Sequence, residues 1–313
     1  MSGINSSIFN DVKHQFQYGT MINKLILVNI FFFIGILIFK VILSAIGPAA
    51  YASFLDHIGV VNTWHLILRP WTLVTYMFSH EGFLHILFNL IWLYVFGFAI
   101  STFFKDRQIF GLYILGGLAG AISYVVVSNL VPSLQFGGVM IGASASVMAI
   151  LLALTAISPD YRINLLLIGA IKIKYIALAL VFFDLLGIAA MNNTGGHFAH
   201  LGGALFGLFY VKQLRSGRDL TDPVSAVMDK IANFFKKPAP KRGPKIVYRN
   251  QQKAKAYVPP QKQTYISQPG KANMNKPDIQ EKINSILDKI GMEGYDSLTA
   301  DEKEFLFRFK DES

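Results

Sequence analysis

Six long apolar runs mark the chain: Leu25–Ile46, Phe83–Phe104, Ile109–Val131, Val139–Ile157, Lys174–Ala190 and about Gly195 to Leu214. A helix needs roughly 17–25 mostly apolar residues to cross a bilayer core. The pattern therefore predicts an all-α membrane bundle of six spans. The first run contains Asn29 and Lys40, the latter near its far end, where it can snorkel to the interface. That run is too long and begins too late for the apolar core of a signal peptide. The apolar stretch 163–190 is interrupted by Lys172 and Lys174, which places the fifth span after them. Residues 47–82 hold Trp64, Trp71 and Tyr76 among many aliphatics and few charges, a composition expected in the membrane interface. Periodicity then fades. Pro238 to Pro277 is rich in Lys, Gln and Pro and reads as a linker. Ile279, Ile283, Ile286, Leu287 and Ile290 return at helical spacing. Thr299 and Glu302 form a capping box opening a second short helix with Phe305, Leu306 and Phe309. The expected organisation is a cytoplasmic segment at 1–20, a six-span core at 21–215, a basic linker at 216–277 and a small helical hairpin at 278–313.

Composition agrees with a membrane protein. Of 313 residues, 53% are hydrophobic and 15% charged, with a mean hydropathy of +0.43. A soluble domain carries about 25% charged residues. With 0 Cys there is no disulfide framework, thiolate metal site or Cys nucleophile. The net charge of +10 is uneven: residues 1–211 hold 9 Lys/Arg against 6 Asp/Glu, residues 212–277 hold 15 against 3, and residues 278–313 hold 5 against 10. The basic segment directly follows apolar spans, so it reads as a tail near anionic lipid rather than a nucleic-acid arm. Lys13, Lys24, Lys105, Arg107, Arg162, Lys172 and Lys174 flank one side of the spans, and Arg69 alone the other. By the positive-inside rule both termini are cytoplasmic and even-numbered spans run from outside inward. A multi-pass protein of the inner (cytoplasmic) membrane is expected.

Polar groups in membrane spans are costly, so each is a functional candidate. His85 and Asn89, four apart, share a face at the start of the second span. Ser144 lies in the fourth, in Gly142-Ala-Ser, and His197 and His200 open the sixth. All three spans start on the outer side, so these groups converge at similar depth, with Ser144 expected roughly 8–10 Å below its helix start. A Ser hydroxyl becomes a nucleophile when a base takes its proton, and His200 suits that role. Asn89, His85 and the Ser144 backbone N–H can supply oxyanion donors. Gly142 permits close backbone approach. Gly203 and Gly207 give the sixth span a small-residue face on which it can approach the fourth. Gly116 and Gly120 on the third span read as packing glycines.

The set resembles the rhomboid family of intramembrane serine proteases. His85-Ile-Leu-Phe-Asn89 matches its HxxxN, Gly142-Ala-Ser144 its GxS, and Ala199-His200-Leu-Gly-Gly203 its AHxxG. The likeness covers roughly residues 20–215, and Pro70-Trp71 through Ser79-His80 resembles the family's first-loop segment. It implies a rhomboid-like six-helix core and a Ser144–His200 dyad. The implied oxyanion hole is Asn89, His85 and the Ser144 amide, with Gly142 and Gly203 as supporting positions. It also implies substrates that are single-span membrane proteins, whose helices unwind easily near the outer surface. Departures are Ala145 where many members have Gly, Met148 where several carry an aromatic, and Trp71-Thr72 in place of Trp-Arg, with Arg69 two residues earlier.

Other readings compete. His80-Glu81…His85 resembles a zinc-protease HExxH, but the second His is five residues on, off the metal-facing side. Asp184, His197 and His200 together suit a metal or proton path, as in a transporter. An inactive rhomboid-like binding protein is the third class. Since rhomboids work with a dyad, a structural or water-linked role is favoured for Asp184. No cofactor or metal is expected for the chemistry, and no nucleic-acid partner. The partners expected are substrates and the lipid bilayer, and the tail's partner is not legible.

Overall fold

A computed structural model describes residues 2–61, 65–134, 136, 138–165, 169–235, 276–293, 297–303 and 305. Trp64, residues 236–275 of the expected linker, and Leu306 and Phe309 lie outside the described residues. Helix α1 (Ser2–Tyr18) precedes α2 (Met21–Ile46), which Thr20 caps by accepting the Asn23 amide. The described residues of 47–82 form α3 (Pro48–Ile58), α4 (His65–Leu68), α5 (Thr72–Thr75) and a 3₁₀ turn at Tyr76–Phe78. Then come α6 (Phe83–Ile100), α7 (Asp106–Leu130), α8 (Ser144–Ile157), α9 (Ile173–Ala189), α10 (Thr194–Arg215) and α11 (Asp222–Phe235). By length and apolarity alone, α2, α6 and α7 are able to cross a membrane, while α8 is shorter. The protein is an all-α membrane protein of the six-helix kind, formed by α2 and α6 to α10. Between α8 and α9, β1 (Arg162–Leu165) and β2 (Gly169–Lys172) form a small antiparallel hairpin that the apolar pattern did not predict. Beside it, hydrogen bonds from Lys174 and Lys172 hold the Asp160 carboxyl down to about 2.

α8 is the central helix. Every residue from Ala145 to Leu154 is buried, as expected of a helix apolar all round. Its neighbours come close because they carry glycines where it carries alanines. A Cβ on Gly116 would meet the Ala149 methyl, and one on Gly120 the Ala145 methyl, so α7 packs tightly on one side. A Cβ on Gly203 or Gly207 would run into the carbonyls of Ala145 and Ala149, so α10 lies backbone against backbone on another. By contrast α2 and α9 turn large apolar side chains outward, among them Phe31, Ile38, Phe182 and Leu186, as lipid-facing helices do. Within the bundle, Asn29 Nδ2 donates to Leu25 O and Tyr113 Oη, and Tyr113 Oη donates to Met77 O. Lys40 pairs with Glu81 at 2.9 Å instead of simply snorkelling.

The fourth span starts later than its apolar run. Residues Val139 to Ala143 are not helical. Met140 bridges Val60 with paired backbone bonds of 2.8 and 2.9 Å, and the Gly142 N–H donates to Tyr76 O at 2.9 Å. Gly142 sits at φ +128°, a conformation that L side chains rarely adopt. Ser144 is therefore the first residue of α8 and not two turns inside it.

Of the stretch 216–277, α11 packs beside α7. Arg107 grips Asp229 in a bidentate pair at 2.7 and 2.9 Å. Just before α11, Asp219 accepts from Gln108, Tyr210 and Thr221. Burial opposes ionisation of Asp219, but those bonds, Thr221 first, hold its carboxyl below the usual range. Residues 1–241 form one compact unit and 242–313 a second. The second contains α12 (Lys276–Glu293), with Ile286 buried and Leu287 exposed. In it the Thr299–Glu302 capping box is formed, with Glu302 Oε2 accepting the Thr299 N–H at 2.8 Å and Thr299 Oγ1 accepting the Glu302 N–H at 3.3 Å. Lys289 pairs with Glu302 at 3.1 Å.

Candidate active site

Ser144 opens α8, so the amides of its first turn have no intrahelical acceptors and the positive end of the helix dipole faces the serine. The loop holding that turn is fixed from three sides. Val60 pairs with Met140, Tyr76 O takes the Gly142 amide, and the fully buried His80 accepts the Ala143 N–H through Nε2 at 3.3 Å. Tyr76 is itself anchored, its hydroxyl donating to Gly117 O on α7 at 2.6 Å. The segment 47–82 is thus a brace for the serine loop. Trp71 Nε1 donates to His57 O, Arg69 to Asp56 O and Thr75 to Ile58 O, tying α5 to α3.

Ser144 Oγ lies 2.7 Å from His200 Nε2. On the far side of the same ring, Nδ1 lies 2.7 Å from Asp184 Oδ1 on α9. A carboxylate only accepts, so Nδ1 carries the proton and Nε2 presents its lone pair to the serine hydroxyl. His197, one turn earlier on α10, points its Nδ1 at the same Oδ1, also at 2.7 Å. The two imidazoles stand edge to face at 5.8 Å. The Asp184 carboxylate therefore bonds directly to the histidine that bonds the serine.

Asn89 and His85 face the same space. Both line a cavity of about 640 Å³ together with Ser144, Met148, Asp184 and His200. Asn89 Nδ2 donates one bond to His85 O, at 2.8 Å, which aims the amide without consuming its second proton. The His85 ring lies over Gly142, where a Cβ would stand 2.8 Å from Nε2. Gly142 is therefore required twice, by its φ and by that ring. The structure brings five of the expected positions, Ser144, His200, Asn89, His85 and Gly142, to one cavity, and places the sixth, Gly203, against the Ala145 carbonyl of α8.

Sequence reasoning did not assign two residues that hold the serine loop. His80 and Tyr76 lie before the second span, where no helical spacing links them to Ser144. Asp184 and His197 were grouped with His200 in the sequence only as a competing metal or proton path, and the structure places the three side chains together. Chemically, the arrangement sets a hydroxyl within hydrogen-bond reach of an imidazole base, beside a cluster of N–H donors at the mouth of a helix.

Compared with known proteins, residues 68–216 match the family described as Rhomboid domain, and residues 270–309 match a family of unknown function (DUF6576). The chain is similar to Presenilin-associated rhomboid-like protein A, mitochondrial, of Danio rerio, at 33% identity over 140 residues, 43% of this chain and 35% of that protein. It is similar to RHOMBOID-like protein 12, mitochondrial, of Arabidopsis thaliana, at 30% over 161 residues, 48% of each. It is also similar to Rhomboid protein 1, mitochondrial, of Saccharomyces cerevisiae, at 28% over 134 residues, 42% of this chain and 38% of that one. The matches thus span between about a third and a half of the length of these curated relatives.

Proposed function

Since the chain belongs to the rhomboid family, we propose that it is an intramembrane serine endopeptidase acting on single-span membrane proteins. The observation that carries this reading is the 2.7 Å contact between His200 Nε2 and Ser144 Oγ. Ser144 Oγ attacks the scissile carbonyl carbon as its proton passes to His200 Nε2. Charge then develops on the carbonyl oxygen. The Asn89 amide, the His85 ring and the Ser144 N–H receive it. His200 returns the proton to the leaving amide nitrogen, and water repeats the sequence to release the acyl-enzyme. Asp184 keeps the His200 proton on Nδ1 and stabilises the imidazolium that forms. The cavity supplies the water that a bilayer lacks.

The same reading puts the chain in an inner membrane with both termini on the side rich in Lys and Arg, and the dyad toward the other face. The excess of basic residues around the inward ends of the spans supports that orientation. The test is cleavage of a reporter span in liposomes by the wild type, Ser144→Ala and His200→Ala. Cleavage by the wild type alone is expected. A Ser144→Ala protein that still cuts, in a preparation free of other proteases, removes the proposal. An inert wild type that inserts and folds normally favours a binding protein.

A further inference from the structure

A serine–histidine pair uses one imidazole and one orienting carboxylate, yet the site holds a second imidazole just as carefully. Gly187, one turn after Asp184 on α9, has no Cβ, and the His197 ring fills the space that a Cβ would occupy. Its Nδ1 is aimed at the carboxylate oxygen that also faces His200. One ligand atom from each of Asp184, His197 and His200 lies within 4.8 Å of the others. Asp184 and His200 border the cavity, so a water can complete the set. Two imidazole nitrogens, one carboxylate oxygen and one open position form a zinc-type donor set.

We propose that Asp184, His197 and His200 form a reversible, inhibitory site for a divalent cation of the Zn²⁺ class. Ligand bonds of about 2.0–2.2 Å at tetrahedral angles separate donor atoms by about 3.3 Å. Each 2.7 Å nitrogen–oxygen contact then opens by ~0.6 Å, a shift that small side-chain rotations supply. The proton balance explains the inhibition. Without metal, both Nδ1–H groups donate to Asp184, and His200 Nε2 accepts from Ser144. A cation on Nδ1 takes that lone pair, so the proton on each ring moves from Nδ1 to Nε2 and none is lost. His200 Nε2–H then donates to Ser144 Oγ and cannot remove its proton. Cation binding and activation of the nucleophile exclude each other.

The inhibitory consequence rests on the protease reading; the binding does not, and the experiment separates them. Full-length Ser144→Ala protein in detergent is titrated with Co²⁺, whose visible absorption reports tetrahedral ligation. The expected result is one equivalent bound and displaced by Zn²⁺. Affinity should fall at least tenfold when His197→Gln or Asp184→Asn is added, and stay unchanged with His57→Ala. In the wild type, Zn²⁺ should stop reporter cleavage and a chelator restore it. His197→Gln should cleave without responding to Zn²⁺. No tetrahedral spectrum, a spectrum that persists in His197→Gln, or Zn²⁺ inhibition that survives His197→Gln overturns the proposal. If the protein proves inert as a protease, the cobalt spectrum still decides the site.

Discussion

In the proposed mechanism each polar side chain at the centre of the site has a separable job. Ser144 and His200 act as a unit, so Ser144→Ala, His200→Ala and the double variant should lose nearly the same amount of turnover, about 10³-fold or more. A double variant much slower than either single would show that the two act independently. Asn89 differs, because an oxyanion donor works only in the transition state. Asn89→Ala is expected to lower kcat by about 10–1000-fold with little change in KM, and an equal loss in KM would make it a packing residue. Asp184→Asn should lower kcat at least about tenfold, the loss reaching ~10⁴-fold where one carboxylate alone sets the tautomer. Unchanged kcat in that variant would remove Asp184 from the mechanism. The convergence of Ser144, His200, Asn89 and His85 on one cavity was legible in the sequence because an unneeded polar group in an apolar span is expensive. The direct contact of Asp184 with His200 was not. Asp184 stands 16 residues from His200 on another helix, and the resemblance to a dyad family argued against a third member.

Helices deliver those residues only if their backbones approach closely, which is the work of the small-residue faces. Gly203 lies one turn from His200 and meets the Ala145 carbonyl, a backbone atom with nowhere to go. Gly203→Ala should therefore destabilise the fold by about 1–3 kcal/mol through overpacking. It should also slow cleavage, because pushing α10 from α8 separates His200 from Ser144. Gly35 on α2 is the control: no atom lies within 4 Å of a Cβ placed there. Gly35→Ala should be neutral, or stabilising by up to ~1 kcal/mol through helix propensity. Melting temperatures and cleavage rates of the two variants check the contrast. Most helices were legible from their apolar runs, but the start of α8 was not. Val139-Met140-Ile141 is as apolar in an extended segment as in a helix, and the partner that extends it, Val60, lies in a distant loop. The β1–β2 hairpin escaped for a similar reason, being two four-residue strands within an apolar run.

Over the whole molecule, charge and composition separated the membrane core from a basic stretch and an acidic end, but they set the edge of the core too early. α11 reads from composition as part of a tail, whereas Arg107–Asp229 and the Asp219 cluster bind it to the core. A chain ending after Lys241 should keep both its melting temperature and its cleavage rate. One ending at Arg218 loses Asp219, Thr221 and α11, and should melt measurably lower. Equal melting of the two truncations would mean that α11 adds nothing to the core. α12 and the Thr299–Glu302 capping box were legible from the isoleucine spacing and the capping pattern, since both are local signals.

The central claim is that Ser144 is a nucleophile activated by His200. Covalent labelling of the purified full-length protein by a fluorophosphonate, read by intact mass and located by peptide mapping, tests it most directly. The account predicts a single adduct on Ser144 in the folded wild type, none in Ser144→Ala, and labelling slowed by orders of magnitude in His200→Ala. A folded wild-type protein that takes no label at Ser144, or takes it equally fast without His200, would contradict it.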